Sequence, residues 1–346
     1  MKAIRYYDKG DLRLQDVAVP TPEPGGLLAK VEACAICGTD LKMLLRGDPR
    51  VKPGQIIGHE FVGKVVELGA GTQGFAVGDR VTMATSISCM RCEVCRRGHT
   101  NRCEHLTPIS REFPGAFAEY IAVPPAGVAG GFAVKVPPAV GDIAALAEPL
   151  SCAINAQLLS GVRFGDTVVV IGFGPLGALH SQTARAFGAT RVIVTQRSPE
   201  RIDLARQLGL EVIDASAGDA VERVMELTGG AGADVVIATA PAIEAQQQAF
   251  AMARKGGMVN LFAGLPRGGS EMLVDSRLIH YRELMVSGAS DSTPHHVELA
   301  VRMIEAGQVS DKIVTHRLAI DDFFDGLELM RQGRGLKILI MPEGKS

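Results

Sequence analysis

Residues 167–180 read TVVVIGFGPLGALH, an apolar run, a glycine-rich turn and the start of a helical pattern. The G-x-G-x-x-G spacing is weak by itself, because it also occurs in empty tight turns. Here the surrounding strand and helix fit a dinucleotide site. The first glycine permits the turn, the second admits a pyrophosphate, and the third lets the helix pack on the strand. The predicted cofactor contacts in this turn are Gly172, Gly174, Pro175, Leu176 and Gly177.

Apolar runs recur beyond this turn and alternate with helical patterns. They predict strands at 167–171, 191–195, 211–214, 234–239, 258–263 and 284–288. Residues 199–209 and 242–257 are two of the helical segments between them. Because apolar strands joined by helical crossovers form parallel sheets, we predict a Rossmann domain over residues 149–289 with a doubly wound, parallel, six-stranded sheet.

The residues on either side of this domain have a different pattern. Short β-rich runs such as LLAKVEA, GKVVELGA and AFAEYIAVP fill residues 3 to about 136 between glycine and proline clusters. Residues after 290 predict a helix, a strand, a second helix and a terminal strand, which do not extend the Rossmann series. We therefore predict an α/β protein in which a β-rich domain of residues 1–148 is completed by residues 290–346.

The segment after the second Rossmann strand bears on the choice of nicotinamide cofactor. NAD-binding proteins usually place an acidic residue there for the ribose hydroxyls, whereas this chain has Gln196. Arg197 and Arg201 follow and could pair with a 2′-phosphate, which a neutral glutamine does not repel. The alternative is that both arginines are solvated at the start of a surface helix. We expect NADP(H), with NAD(H) as the second choice.

Four of the seven cysteines, Cys89, Cys92, Cys95 and Cys103, lie within fifteen residues. Four thiolates complete the tetrahedral coordination of Zn²⁺ and leave no open position, so the spacing predicts a structural zinc site. An iron–sulfur cluster is the competing metal site, and scattered core thiols are the structural alternative. Core thiols rarely recur every third residue in polar loop sequence, which favours zinc.

A second set of metal-binding residue types is more dispersed along the chain. Cys37, His59 and Glu148 could supply the ligands of a zinc ion that keeps one position open for water or substrate. Asp40 could fix the tautomer of a ligating imidazole. Each residue alone is more commonly a packed side chain, a helix cap or a dipole partner. Their combination predicts a catalytic zinc site.

The composition excludes several classes of partner. The 346 residues carry 36 basic and 38 acidic side chains, so no strong field draws the protein to nucleic acid or to an anionic membrane. The first residues lack an apolar signal segment, and no later run has about 18 uncharged apolar residues. We expect a cytoplasmic protein with a small-molecule substrate. In that reducing compartment, clustered cysteines more often hold metal than form disulfides.

Taken in order, these motifs make the chain resemble the zinc-containing medium-chain dehydrogenase/reductase (alcohol dehydrogenase) family, and its sorbitol/L-iditol (polyol) branch in particular. The motifs are CGTD, GHEFVGKVVELGAG, VGDRV, the cysteine lobe, GAFAEY, AEPLS, IGFGPLG and KGGMVNLFAG, which together span nearly the whole chain. The resemblance implies a GroES-like catalytic domain beside the Rossmann domain, two zinc ions per chain, and a homotetramer or homodimer built through the Rossmann domain.

The resemblance also implies roles for single residues. Positions that match Cys37, His59 and Glu148 bind or approach the catalytic zinc, and Glu60 is an alternative or additional ligand. Zinc would lower the pKa of a bound alcohol, and hydride would pass to the nicotinamide. Thr39 matches a hydroxyl that relays the substrate proton. The predicted catalytic residues are Thr39, Asp40 and Lys42.

Two departures from the family pattern leave the substrate open. Lys42 occupies a relay position that is commonly histidine, and Asp291 lies near the position of an arginine in sorbitol dehydrogenases. A polyol, a sugar acid, a sugar phosphate and an amino alcohol such as threonine are all candidate substrates. Activity like that of L-threonine 3-dehydrogenase, or of a general secondary alcohol dehydrogenase, is the alternative. A noncatalytic nucleotide-binding protein is the rival from another class, and it would be expected to lose ligands of the open metal site.

Overall fold

The structure, a computed structural model, describes residues 1–266 and 268–344 and forms two compact units. The first unit comprises Met1–Ser151, Asp291–Gly307 and the described residues from Ile313 onward. The second unit comprises Cys152–Ser290 and Gln308–Lys312. The later part of the chain therefore contributes to both units.

Eighteen strands lie within the described residues. In chain order they are β1 (Lys2–Asp8), β2 (Asp11–Asp16), β3 (Leu27–Ala35), β4 (Gln55–Ile56), β5 (Glu60–Leu68), β6 (Arg80–Met83), β7 (Ser86–Ile87), β8 (Thr107–Pro108), β9 (Tyr120–Val123), β10 (Ala133–Val136), β11 (Thr167–Ile171), β12 (Arg191–Gln196), β13 (Glu211–Asp214), β14 (Ala233–Ala238), β15 (Ala253–Leu261), β16 (Met285–Gly288), β17 (Val314–Ala319) and β18 (Lys337–Met341).

Eleven α-helices lie in the same part of the chain. They are α1 (Gly38–Arg46), α2 (Glu93–Arg96), α3 (Pro125–Ala129), α4 (Ala147–Ser160), α5 (Pro175–Ala186), α6 (Pro199–Gln207), α7 (Ala220–Leu227), α8 (Ile243–Met252), α9 (Ser276–Arg282), α10 (Pro294–Glu305) and α11 (Phe323–Arg331). Short 3₁₀ turns occupy Thr100–Arg102, Asp142–Leu146, Asp311–Ile313 and Ile320–Asp322.

The second unit contains a single six-stranded sheet in the order β13-β12-β11-β14-β15-β16. Every neighbouring pair is parallel, and β11 pairs with β12 in register from Thr167 opposite Arg191 to Ile171 opposite Thr195. The predicted doubly wound Rossmann sheet is confirmed. Because the connections reverse direction between β11 and β14, the carboxyl ends of these two strands flank the crevice in which such sheets bind ligands.

One predicted helix is shorter than its sequence pattern suggests. Helical residues were expected from 242 to 257, but α8 ends at Met252 and Ala253 already pairs with Ala233 in the sheet. Gly256 has a φ of +68°, which a right-handed helix does not contain. Pairing of Ala253 with β14 and the low helix propensity of Gly256 and Gly257 together end the helix at Met252.

The first unit is built mainly on antiparallel sheets. Its seven-stranded sheet has the order β10-β6-β5-β3-β18-β17, with β9 also pairing with β3. The late strand β18 lies antiparallel to β3, with Ile340 opposite Cys34. Strands β1, β2 and β4 form a separate three-stranded sheet. The GroES-like β-rich part of the predicted fold is confirmed. The pairing of β18 with β3 also places residues 337–341 beside the strand that leads to Cys37.

One stretch has the length and composition of a membrane span. It covers Asp142–Ser160, and 78 % of its most apolar window is buried inside the protein. Burial of this kind is the property of a core helix, whereas a membrane-spanning helix would present its apolar side chains to lipid.

Candidate metal and nucleotide sites

The four-cysteine group lies in a surface lobe of residues 89–103. Its four Sγ atoms lie within 4.8 Å of one another, with Cys103 3.5 Å from Cys89 and 3.9 Å from Cys92. Zn–S bonds of about 2.3 Å in a tetrahedron place sulfurs about 3.8 Å apart. A disulfide would bring two of them to about 2.05 Å. The donor set and its spacing therefore fit a tetrahedral zinc ion.

The backbone of this lobe is folded around the sulfurs. The amide of Cys92 donates to Cys89 Sγ at 3.4 Å, and the amide of His105 donates to Cys103 Sγ at 3.3 Å. Backbone donors from Arg91 and Cys92 lower the pKa of Cys89 to about 6. Because thiolates are the form that binds zinc, these amides favour the liganded state.

The second group consists of Cys37, His59 and Glu60, whose ligand atoms also lie within 4.8 Å of one another. Cys37 follows β3 and begins helix α1, and His59 directly precedes β5. Strands β3 and β5 are antiparallel neighbours, with Ala35 opposite Glu60. The pairing of two strands thus brings together residues that are more than twenty positions apart in the sequence.

Asp40 accepts a hydrogen bond from the backbone of Cys37 and lies near the imidazole of His59. Its Oδ2 accepts a hydrogen bond from the Cys37 amide at 2.8 Å, and its Oδ1 lies 3.8 Å from His59 Nδ1. Oδ1 is buried and has no hydrogen-bond partner among the described residues. A carboxylate in this position can orient the ring so that the other ring nitrogen binds metal. Burial raises the pKa of Asp40 to about 6.

His59 lies in an anion-rich environment. Burial lowers its pKa, but the Cys37 sulfur and the carboxylates of Asp40 and Glu148 outweigh that effect and raise the pKa well above its usual value. A surplus of anionic donors around a single imidazole is the charge pattern that a divalent cation neutralises. The donor chemistry of Cys37, His59 and Glu60 therefore fits zinc.

Glu148 lies beside this group and outside its 4.8 Å limit. Its Oε1 accepts a hydrogen bond from Thr85 Oγ1 at 2.8 Å, and burial raises the pKa of Glu148 to about 7. Thr39 Oγ1 lies 3.6 Å from Cys37 Sγ. Lys42 is exposed on α1. The structure thus brings Thr39, Asp40 and Glu148 near the second metal-binding group and leaves the Lys42 side chain in solvent.

Lys337 is a part of this site that sequence reasoning missed. It begins β18 and forms an ion pair with Glu60, and the two side chains are only 2 % and 1 % exposed. Burial lowers the pKa of Lys337, but Glu60 and Cys37 raise it above the usual value, so the lysine stays charged. The cost of burying a lone Glu60 carboxylate is thereby offset. A lysine in the apolar run LKILIM was the available signal.

The glycine turn of the second unit has the shape that its sequence predicts. Gly172 has a φ of +94°, and a Cβ on Gly177 would lie 2.1 Å from the carbonyl oxygen of Gly172. Gly174 precedes α5, and among the described residues other than its chain neighbours only an arginine Nη lies within 4 Å of the place of its missing side chain. Thr239 Oγ1, which sequence reasoning missed, is 3.0 Å from the carbonyl oxygens of both Ile171 and Gly172. The open face of the turn fits a pyrophosphate.

Gln196, Arg197 and Arg201 differ in their surroundings. The Oε1 of Gln196 accepts hydrogen bonds from the amides of Arg197 and Ser198 at 2.6 and 3.1 Å. The Gln196 carboxamide is therefore bonded to the backbone of the loop that follows it. Arg197 is exposed. Arg201 is the arginine beside Gly174, and its Nε is buried without a hydrogen-bond partner among the described residues. A guanidinium with an unpartnered Nε beside a glycine turn fits an anionic cofactor group.

Comparisons with known proteins agree with this geometry. Residues 23–137 match the alcohol dehydrogenase GroES-like domain, and residues 175–306 match the zinc-binding dehydrogenase domain. The chain is 36 % identical over 335 residues to L-threonine 3-dehydrogenase of Pyrococcus abyssi, covering 95 % of this chain and 94 % of that one. It is also 36 % identical over 360 residues to erythritol/L-threitol dehydrogenase of Mycolicibacterium smegmatis, covering 99 % and 98 %.

A solved structure is similar over the whole chain. It is a protein of Sinorhizobium meliloti that is described as a zinc-binding dehydrogenase and was solved bound to NADP, with a TM-score of 0.90, 34 % identity and 99 % coverage of both chains. The family resemblance read from the motifs is therefore confirmed. The chain belongs to the zinc-containing medium-chain alcohol dehydrogenase family and is an oxidoreductase that acts on CH–OH groups.

Proposed function

We propose that this enzyme transfers hydride between NADP(H) and a secondary alcohol or ketone of a polyol, sugar or sugar derivative. The observation that carries the proposal is the group of Cys37, His59 and Glu60, with Asp40 aligned behind the imidazole. In the oxidative direction the alcohol loses a hydride to NADP⁺ and a proton to the protein, and a ketone and NADPH result. In this proposal, the first unit is the catalytic domain and the second is the nucleotide-binding domain.

Different side chains of the first unit would bind the zinc ion and transfer the alcohol proton. Cys37 and His59 would hold the catalytic zinc with Glu60 or Glu148, and the bound ion supplies a Lewis acid that lowers the pKa of an alcohol. Thr39, 3.6 Å from the Cys37 sulfur, would receive the alcohol proton. Lys42 is exposed one helical turn further; its ammonium would release a proton to solvent and then take up the one that Thr39 carries. The four-cysteine lobe would hold a second, structural zinc.

Two observations support NADP, rather than NAD, as the cofactor of this enzyme. No carboxylate stands at the end of β12, where Gln196 bonds to its own loop, and Arg201 has a buried Nε without a partner among the described residues. The solved relative from Sinorhizobium meliloti was bound to NADP. We propose that Arg201 and Arg197 bind the phosphate that distinguishes NADP from NAD.

Removal of either arginine is expected to weaken NADP⁺ selectively. A charge-assisted hydrogen bond of about 1.5–3 kcal/mol corresponds to about 10–100-fold in kcat/KM. Arg197→Ala and Arg201→Ala should therefore lower kcat/KM for NADP⁺ by about that factor and change it less for NAD⁺. Arg206→Ala, on the exposed face of the same helix α6, is the matched control. Equal losses with both cofactors would contradict the assignment.

The reaction class is tested by metal content together with substrate oxidation. Two zinc ions per chain and NADPH formation from a secondary alcohol are the expected results. A protein with both zinc ions that reduces neither cofactor with any polyol, sugar acid, sugar phosphate or L-threonine would contradict the proposal. Preference for L-threonine would favour the alternative suggested by the Pyrococcus abyssi relative.

We also propose a cytoplasmic homo-oligomer assembled through the second unit. Strand β16 is an edge of the six-stranded sheet, and Met285 and Val286 on it are exposed. An exposed apolar edge strand is a ready template for pairing with a second copy. Light scattering should give a mass of two or four chains, and a monomer at micromolar concentration would remove this part of the proposal.

A further inference from the structure

The first unit places charged and polar side chains from four separate segments beside the Cys37, His59 and Glu60 group. We call this set, formed by Asp48, Ser86, Arg111 and Asp291, the polar wall. Asp291 Oδ1 accepts a hydrogen bond from the Ser292 amide at 2.7 Å, and its carboxylate also bonds to Ser86. Arg111 Nε donates to Asp48 Oδ2 at 3.0 Å.

Hydrogen bonds tie both ends of the polar wall to the metal-binding residues. Ser110, which precedes Arg111, donates through Oγ to the carbonyl of Gly58 at 2.7 Å, one residue before His59. Ser292, which follows Asp291, is 2.6 Å from Ser151 Oγ, and that hydroxyl donates to the Glu148 carbonyl at 2.5 Å. His59 and Arg111 are also close enough to Asp291 for their charges to act on its carboxyl. Arg111 and Asp291 therefore lie close to this site.

The backbone is strained at both anchors. Among the described residues, Met90, Ser110, Glu283 and Asp291 are the residues other than glycine with positive φ, and two of these four belong to the polar wall or adjoin it. Ser110 has a φ of +70° and Asp291 a φ of +60°. Such conformations are costly and tend to persist where function requires them. The positive φ values of Ser110 and Asp291 therefore suggest a functional reason for the positions of Arg111 and Asp291.

The charges of the wall balance once Arg50, which pairs with Asp48, is included. Asp48 accepts from Arg50 at 2.7 Å as well as from Arg111, so two guanidinium groups share that carboxylate and Asp291 supplies the second negative charge. A carboxylate or phosphate on the substrate would be repelled by the Asp291 carboxylate, and the positive charges of Arg50 and Arg111 that could offset this repulsion are already balanced by Asp48 and Asp291. A hydroxyl can donate to Asp291 and accept from Arg111, because it has one donor and two acceptor sites.

We propose that the polar wall selects an uncharged polyol chain and that Asp291 rejects substrates bearing a carboxylate or phosphate. This inference rests on the proposed function and narrows its substrate class. Asp291 acts here as a specificity-determining residue: its carboxylate accepts a hydrogen bond from a hydroxyl next to the reacting carbon. Sugar acids, sugar phosphates and amino acids are then poor substrates, although their reacting carbons are similar.

The test compares matched pairs of substrates in which one terminal CH2OH group of the polyol is replaced by a carboxylate in the acid. These are erythritol with erythronate and D-sorbitol with D-gluconate, each with NADP⁺ at constant ionic strength, and L-threonine is measured alongside. The zinc-loaded enzyme is expected to favour each polyol over its acid by at least about 100-fold in kcat/KM. Asp291→Asn, which keeps a side chain tolerant of positive φ, should lower that ratio by at least about 10-fold. The exposed Asp325→Asn on α11 should leave it unchanged.

A binding measurement accompanies the kinetics. In the presence of NADP⁺, the polyols should raise the Tm of the wild type and the acids should not, whereas Asp291→Asn should respond to both. Identical ratios in Asp291→Asn and Asp325→Asn, or a wild-type preference for an acid or for L-threonine, would overturn the inference and leave a zinc dehydrogenase in place. Inactivity toward all five compounds with both zinc ions bound contradicts the proposed function itself, and the inference falls with it.

Discussion

Cys37→Ser is expected to reduce kcat/KM for alcohol oxidation by at least about 10³-fold and to lower the zinc content from two ions per chain to one. A neutral serine hydroxyl is a poor zinc ligand, and loss of the Lewis acid removes several kcal/mol of charge stabilisation at the reacting oxygen. Serine is favourable at the first position of a helix, so α1 should still form. Metal analysis by mass spectrometry and steady-state kinetics on the same sample measure both effects.

Cys152→Ser is the matched control for this experiment. Cys152 is a half-buried cysteine on α4 that belongs to neither metal-binding group. The Cys152→Ser variant should retain two zinc ions per chain and most of the wild-type activity. If Cys37→Ser also keeps two zinc ions and activity within a few-fold of the wild type, Cys37 is not a ligand and the proposed metal centre is wrong.

Gly177→Ala is expected to weaken NADP⁺ binding by at least about 30-fold and to lower the Tm. The added Cβ would lie 2.1 Å from the Gly172 carbonyl oxygen and 3.1 Å from Thr239 Oγ1. Because the first of these contacts is with backbone, the turn itself must move, and overpacking of this kind costs about 1–3 kcal/mol or more. A shift of 2 kcal/mol corresponds to about 30-fold in Kd. Fluorescence titration with NADPH and a thermal melt measure the two effects.

Gly218→Ala tests whether any glycine-to-alanine change in this unit has the same result. Gly218 is exposed before α7, and a Cβ there meets no atom within 4 Å. Its variant should bind NADPH as the wild type does. Wild-type affinity in Gly177→Ala would mean that the turn adapts, and that the glycine is not required for the nucleotide site.

The parts of the molecule that could be predicted from sequence are those whose signal is local. The glycine turn and the four-cysteine lobe each lie within about fifteen residues, so spacing alone carries the physical requirement. The alternation of apolar strands with helical segments was sufficient for the six-stranded sheet. The end of α8 lies a few residues before the Gly256–Gly257 pair that could have signalled it, because Ala253 pairs with Ala233 of β14, a contact between distant segments.

The parts that sequence reasoning missed depend on contacts between distant segments. Lys337 is 277 residues from Glu60, and nothing in the run LKILIM identifies its partner. Arg111 and Asp48 are 63 residues apart. For both pairs, the partner of each charged side chain can be identified only when the fold of the first unit is known.

The position of β18 has a consequence for how the enzyme is made. The buried cation opposite Glu60 lies on this late strand, and the sheet of the second unit is complete before β18 has been synthesised. A nascent chain that has not yet reached β18 therefore carries Glu60 without the lysine that neutralises it in the folded protein. We expect the proposed catalytic zinc site to become complete only after residues 337–341 have been synthesised, and a chain truncated before Lys337 to lack it.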